Sequence, residues 1–283
     1  VATGVGSPLW FLSAFLLAQV FAPLMVRLHI AAPRLTLAAL FAGVVLVDGT
    51  RNATGVVELG LANLVFVWFF VQQLGFWYAD GWFRERRRWQ LVALAAAAYG
   101  VIGGIVAVGW AAPDMLRNLN PPTVPLALLG IAQLALLTLF HRPLAAFMRR
   151  RAAQRVVFLV GGRAMTIYLW HLPVIVLVAG ISLLLPFPVP EPASPLWWAT
   201  RPIVFVIVLA LVSLISIPLS RFEAAPPGIP AGMRRPDAGR TWFAAALTFF
   251  PAYAVMNWFL DLPIALIGSA SLAAAVLMLR PRR

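Results

Sequence analysis

Nine apolar runs divide this chain: Leu9–Val26, Leu35–Val47, Leu61–Tyr78, Leu91–Ala111, Val124–Phe140, Ala164–Leu185, Ile203–Leu219, Trp242–Leu260 and Leu262–Leu279. A helix needs roughly 20 apolar residues to cross a bilayer, and most of these runs approach that length. Hydrocarbon offers the backbone no hydrogen-bond partner, so each run must satisfy its own as a helix. The pattern predicts an all-α fold, a polytopic transmembrane helix bundle of about nine spanning helices. The second run is short unless it starts near Ile30, and Pro33 with Arg34 leaves that start open. Asp261 and Pro263 lie at the junction of the last two runs, which predicts a tight helical hairpin there.

Composition agrees. Hydrophobic residues make up 62% of the 283 and charged residues 11%, against roughly 45–50% apolar and about 25% charged in a soluble domain. No cysteine is present, so disulfides and thiolate metal ligands are excluded. A net charge of +13 would suggest nucleic acid in a soluble chain. Here all 22 basic residues are arginine and lie between apolar runs. Nineteen fall on alternate connections and the chain end, against Arg51, Arg117 and Arg201 on the other side. The positive-inside rule then puts the larger set and the C-terminus in the cytoplasm, and Val1 outside. That favours contact with membrane lipid over a nucleic-acid partner, and the Ala, Arg, Gly and Pro bias suggests a bacterial genome, hence the inner membrane. A chain starting outside without a signal peptide is also expected to lack about three preceding spans.

No repeat or linker interrupts the runs, which predicts a single domain over 1–283. Residues 7–219 carry the motifs described below, and 220–283 supply a cytoplasmic loop and the C-terminal hairpin. On the outer side, Asp48 to Gly60 reads as a short polar loop. Asn118 to Thr123, with Pro121 and Pro122, reads as a rigid approach to the fifth helix. Trp197 and Trp198 suit either an interfacial anchor or a platform for a sugar ring.

Candidate chemistry concentrates in two runs. In GGRAMTIYLWHLP, Tyr168 and His171 lie about 60° apart on one helical face. Pro173 leaves a carbonyl unbonded near the imidazole. His171 can serve as a general base near neutral pH with Tyr168 orienting it, or it can simply bond across helices. Arg163 stands where the helix begins and can meet an anion. In NLVFVWFFVQQLGFWYADG, Gln72 and Gln73 need partners in hydrocarbon, either another helix or a substrate passage. His29 and His141 read as loop residues, and no metal site is expected. The arginine clusters at 84–88 and 149–155 read first as topology and lipid signals. A second reading has them meet the phosphates of a cofactor such as coenzyme A.

Four stretches in order resemble one family. SPLWFLSAFLLAQVFAP is similar to the "GPLWFL" helix of the bacterial acyltransferase 3 family of membrane acyltransferases, and NLVFVWFFVQQLGFWYADG to its aromatic "W…QLG" helix. NLNPPTVPLALLGIAQ and RAMTIYLWHLPVIV resemble two further segments, so the likeness covers most of Ser7 to Leu219. The resemblance implies an O-acyltransferase moving an acyl group, often acetyl, from cytoplasmic acyl-CoA to a hydroxyl of an extracytoplasmic glycan or glycoside. It also implies that the family's central histidine lies in a span ahead of Val1, which leaves His171 and Tyr168 as supporting catalytic residues. Arg163 then becomes the cofactor contact, and Trp10 and Gln73 line the substrate path. Two other readings stay open: a transporter-like bundle without covalent chemistry, and an inactive truncated remnant.

Overall fold

The computed structural model describes residues 9–185, 190–219, 237–258 and 261–280, and within them every side chain except those of residues 9, 10, 13, 252 and 256–258. The described residues form eleven α-helices and two 3₁₀ turns, with no strand among them. The chain divides into two compact units, Ala14–Arg149 and Val1–Ser13 with Arg150–Arg283. Each is taken in turn.

The Ala14–Arg149 unit contains α1 (Leu9–Ala31) from Ala14 onward, α2 (Pro33–Thr54), α3 (Asn63–Ala79), α4 (Arg88–Ala107), α5 (Val124–Leu139) and α6 (His141–Met148). Val44 of α2, Val67, Phe70 and Leu74 of α3, Ala95 of α4, and Ala127 and Ala135 of α5 close its core. The small residues at α4 and α5 matter because lipid is as apolar as leucine. Helix association there depends on close backbone approach rather than on expelling water.

Two boundaries differ from expectation, and a third falls within one residue of it and is closed by a specific turn. First, α1 continues past Val26 to Ala31, and α2 starts at Pro33 after a single non-helical residue, Ala32. Proline has no N–H to lose and a fixed φ, so at the first helical position it opens a helix instead of ending one. Arg27, His29 and Arg34 are therefore helical, not in a loop. Thr36 strengthens this corner by donating its hydroxyl to the Leu28 and Ala32 carbonyls at 3.1 and 2.9 Å.

Second, Asp48 to Thr54 is helical, where a polar loop was expected. Asp48 is buried, but its carboxylate has partners that make burial tolerable. Asn63 Nδ2 donates to it at 3.1 Å, the Val124 N–H at 2.7 Å, and Arg51 lies 3.8 Å away. The helix ends at Gly55, whose φ of 72° is left-handed. Third, α3 ends in a Schellman turn: Gly81 (φ 87°) donates to Tyr78, and Trp82 donates to Trp77. That turn folds Trp82 back onto Trp77, with ring centroids 5.5 Å apart.

The unit of Val1–Ser13 and Arg150–Arg283 contains α7 (Arg151–Gly161), α8 (Ala164–Leu184), α9 (Pro195–Leu219), α10 (Ala238–Trp258) and α11 (Leu262–Leu279). Val174 of α8 packs with Val208 and Val212 of α9. Ser271 donates to the Leu247 carbonyl at 2.8 Å, and Gly268 faces Pro251, so α10 and α11 run antiparallel. Asp261 caps α11 by accepting the Ile264 N–H at 2.8 Å. Helix α9 begins at Pro195, eight positions before Ile203, and so includes both tryptophans. The expected loop at 220–236 lies outside the described residues.

Seven helical stretches among the described residues are long and apolar enough to cross a membrane: Ala14–Ala31, Pro33–Thr54, Val57–Ala79, Arg88–Ala107, Ala164–Leu184, Pro195–Leu219 and Leu262–Leu279. The expected fifth span is the 16-residue α5, about 24 Å long at 1.5 Å per residue. It continues through a 67° bend into α6, and the pair would make an eighth span. The expected eighth run forms α10, which carries Arg240, Thr241, Thr248 and Asn257 and is not among the seven. The chain is a multi-pass all-α membrane protein, with seven such stretches among the described residues, or eight with the bent pair.

Candidate functional site

At the start of α8, Arg163 is the half-buried N-cap residue. Tyr168 and His171 follow with ring centroids 5.6 Å apart, and Phe11 packs on Tyr168 at 4.9 Å. His171 Nδ1 hydrogen-bonds to the Tyr168 backbone carbonyl. A carbonyl can only accept, so Nδ1 carries the hydrogen and the neutral ring keeps its lone pair on Nε2. The bond goes to the Tyr168 oxygen and not to the Leu169 oxygen that Pro173 leaves unbonded. This arrangement brings Arg163, Tyr168 and His171 onto one short stretch. Trp10 precedes Phe11 on α1, but its side chain lies outside the described residues. The face of Trp197 is covered by Arg201, whose guanidinium lies 4.6 Å from the ring centroid and donates through Nε to the Trp197 carbonyl at 3.1 Å. That occupation favours an interfacial anchor over a sugar platform.

The glutamines belong to the Ala14–Arg149 unit and tie α3 to α1. Gln72 Nε2 donates to the Ala18 carbonyl at 3.1 Å, and Gln73 Nε2 to the Met25 carbonyl at 2.8 Å. Gln73 is fully buried, and its Oε1 faces His29 Nδ1 at 2.9 Å. The other ring nitrogen, Nε2, lies 2.8 Å from Asp80 Oδ2. Phe76 and Trp77 meet the imidazole edge-on at 5.4 and 6.4 Å. Sequence reasoning set His29 aside as a loop residue and missed Asp80. Gln73 and Asp80 are two helical turns apart, and Met25 and His29 one turn apart, so each pair shares a face, but that spacing does not say that the two faces meet.

Beside this network, Arg84, Arg86, Arg88 and Arg142 converge with Leu91, Thr138 and Leu139 on a cleft of about 460 Å³. Arg86 lies 4.3 Å over the Trp82 ring and Arg84 5.5 Å from Tyr78. Among the described residues no carboxylate pairs with any of the four, and the buried Nε of Arg86 has no hydrogen-bond partner. Four like charges in one concavity raise each other's energy unless an anion enters. Arginine's planar fork suits phosphate. The clusters read mainly as topology signals thus also line a cationic cleft, completed by Arg142 from 54 positions further along the chain. No group of three or more His, Asp or Glu placed to hold a metal occurs among the described residues.

A multi-pass helical protein with buried polar networks and a cationic cleft at helix ends is compatible with a membrane enzyme. The signature described as an acyltransferase domain matches residues 2–221. The chain belongs to the acyltransferase 3 family and is a membrane acyltransferase. Curated proteins and solved structures give no match.

Proposed function

We propose that the chain is an O-acyltransferase of the bacterial inner membrane, moving an acyl group of the acetyl type from cytoplasmic acyl-CoA to a hydroxyl of an extracytoplasmic glycan or glycoside. The observation that carries the donor assignment is the unpaired cluster of Arg84, Arg86, Arg88 and Arg142. Coenzyme A carries a diphosphate and a separate phosphate, and such a polyanion relieves the repulsion within the cleft. A charged hydrogen bond contributes about 1.5–3 kcal/mol. In this reading the arginine-rich end faces the cytoplasm, which agrees with the positive-inside rule. Within the unit of Val1–Ser13 and Arg150–Arg283, Arg163 is a second candidate cation for the donor. His171, with Nε2 as acceptor and Tyr168 beside it, takes up a proton during transfer.

The experiment is binding of radiolabelled acetyl-CoA to the purified chain, compared with the Arg86→Ala/Arg142→Ala double variant. Weakening by at least tenfold is expected, since about 1.4 kcal/mol is one factor of ten. Dephospho-CoA should bind the unaltered chain more weakly, and pantetheine should not compete. Equal binding by variant and unaltered chain would remove the cleft from the donor site.

A further inference from the structure

We infer that His29 and Asp80 form a proton-donating pair that protonates the thiolate leaving group of the acyl thioester, with Gln73 as the positioning residue. The inference rests on the acyl-CoA reading above.

The protons can be assigned from the bonds. Met25 offers a backbone carbonyl, which can only accept, so the Gln73 amide must place its nitrogen there and its oxygen toward His29. His29 Nδ1 therefore carries a hydrogen. The Asp80 carboxylate faces Nε2, and the bond between them holds a second hydrogen that either partner can own. Gln73 is buried and fixed, so the only exchangeable proton of the ring lies on the Asp80 side.

The position of Asp80 is itself unusual for packing alone. It is the C-cap of α3, where the negative end of the helix dipole disfavours a carboxylate. His29 offsets that cost. The His29 side chain is 11% exposed and that of Asp80 67%, so the pair joins a sheltered ring to solvent. Both line a cleft of about 170 Å³ with Pro33, Trp77, Trp82 and Glu85. Trp77 adds a buried indole N–H that has no partner. Trp82 forms part of this cleft, and Arg86 of the cationic cleft lies over its ring. The arm of a donor held by its phosphates in one cleft can therefore bring its thioester toward the other.

The step balances. As the acyl carbon bonds to the acceptor oxygen, the C–S bond breaks and its electron pair stays on sulfur. His29 Nε2 gives its proton to that sulfur, which leaves as free thiol. The ring becomes neutral and keeps its Nδ1 hydrogen on Gln73. The acceptor hydroxyl gives its own proton to water, and water returns one to Nε2 through Asp80, so no net proton is gained or lost by the protein.

The test uses two donors that differ in the leaving group: acetyl-CoA, whose thiolate needs a proton, and an acetyl nitrothiophenyl thioester, whose thiolate leaves without one. Release of thiol is followed in membranes carrying the unaltered chain, His29→Gln or Asp80→Asn. Asp80 is exposed, so Asp80→Asn keeps the fold even where His29→Gln disturbs α1. A loss of kcat of about 10²-fold is expected with acetyl-CoA, the lower range for a general acid. With the activated thioester, the variants should stay within a few-fold of the unaltered chain. Equal losses with both donors, or no loss with either, would overturn the pair. If the unaltered chain releases no CoA thiol, the donor reading itself fails and takes this step with it.

Discussion

The Asp48 carboxylate accepts the backbone N–H of Val124 at 2.7 Å, so a side chain of α2 caps the start of α5. The first N–H groups of a helix lack internal partners and sit at its positive end, which makes a carboxylate from elsewhere a favourable cap. The other oxygen accepts from Asn63 at 3.1 Å and faces Arg51 at 3.8 Å. One buried residue thus ties α2, α3 and α5 together. Asp48→Ala would strand the Val124 N–H, the Asn63 amide and Arg51 together. It is expected to lower stability by about 3 kcal/mol, and Asp48→Asn by less. Thermal unfolding in detergent checks both, and equal midpoints for Asp48→Ala and the unaltered chain would refute the role.

Two glycines make opposite predictions. A Cβ at Gly43 would stand 2.5 Å from the Phe66 ring, so α2 and α3 meet there only because the side chain is absent. Gly43→Ala should cost about 1–3 kcal/mol through overpacking. Gly75 faces open space. Gly75→Ala should be neutral or stabilise by up to about 1 kcal/mol, the difference in helix propensity. The same unfolding assay, run on both variants side by side, separates the two cases.

The contrast shows what the residues disclosed and what they did not. Nothing in the sequence separates Gly75, inside the aromatic helix, from Gly43 as a point of close helix contact. Periodicity reports which face a residue occupies, but not which neighbour stands across from it. The all-α class was legible because hydrocarbon leaves the backbone no other option. The boundaries around Pro33 and Asp48 were not, because polar residues that find partners can continue a helix past the end of its apolar run. At the site, His171 and Tyr168 were visible as neighbours on one face. The His29–Asp80 contact joins residues 51 positions apart, and no spacing within one helix reveals it. Arg142 joins the cationic cleft in the same long-range way.

The orientation inferred from arginine placement has a direct test, because the chain contains no cysteine. Any single introduced thiol can therefore be labelled without background. Leu116 is 77% exposed in the connection before α5, and Ala152 is exposed on α7. In cells with a permeable outer envelope, a membrane-impermeant maleimide should label Leu116→Cys directly. It should reach Ala152→Cys only after the inner membrane is opened. The reverse pattern would invert the topology and move the arginine cleft away from cytoplasmic donor.

The last expectation concerns His171. Its Nδ1 hydrogen is engaged by the Tyr168 carbonyl, so the lone pair on Nε2 is the only basic position left on the neutral ring. Replacement by alanine removes that base without stranding a buried partner, since a helix carbonyl tolerates the loss of an extra bond. His171→Ala should therefore fold normally and lower acetyl transfer to acceptor by about 10²-fold or more, the contribution usual for a general base. Tyr168→Phe preserves the ring that packs on Phe11 and should keep the fold, with a smaller loss of rate. Transfer is measured with labelled acetyl-CoA and isolated envelope glycan. Full activity in His171→Ala would take this histidine out of the reaction and leave it a packing residue of α8.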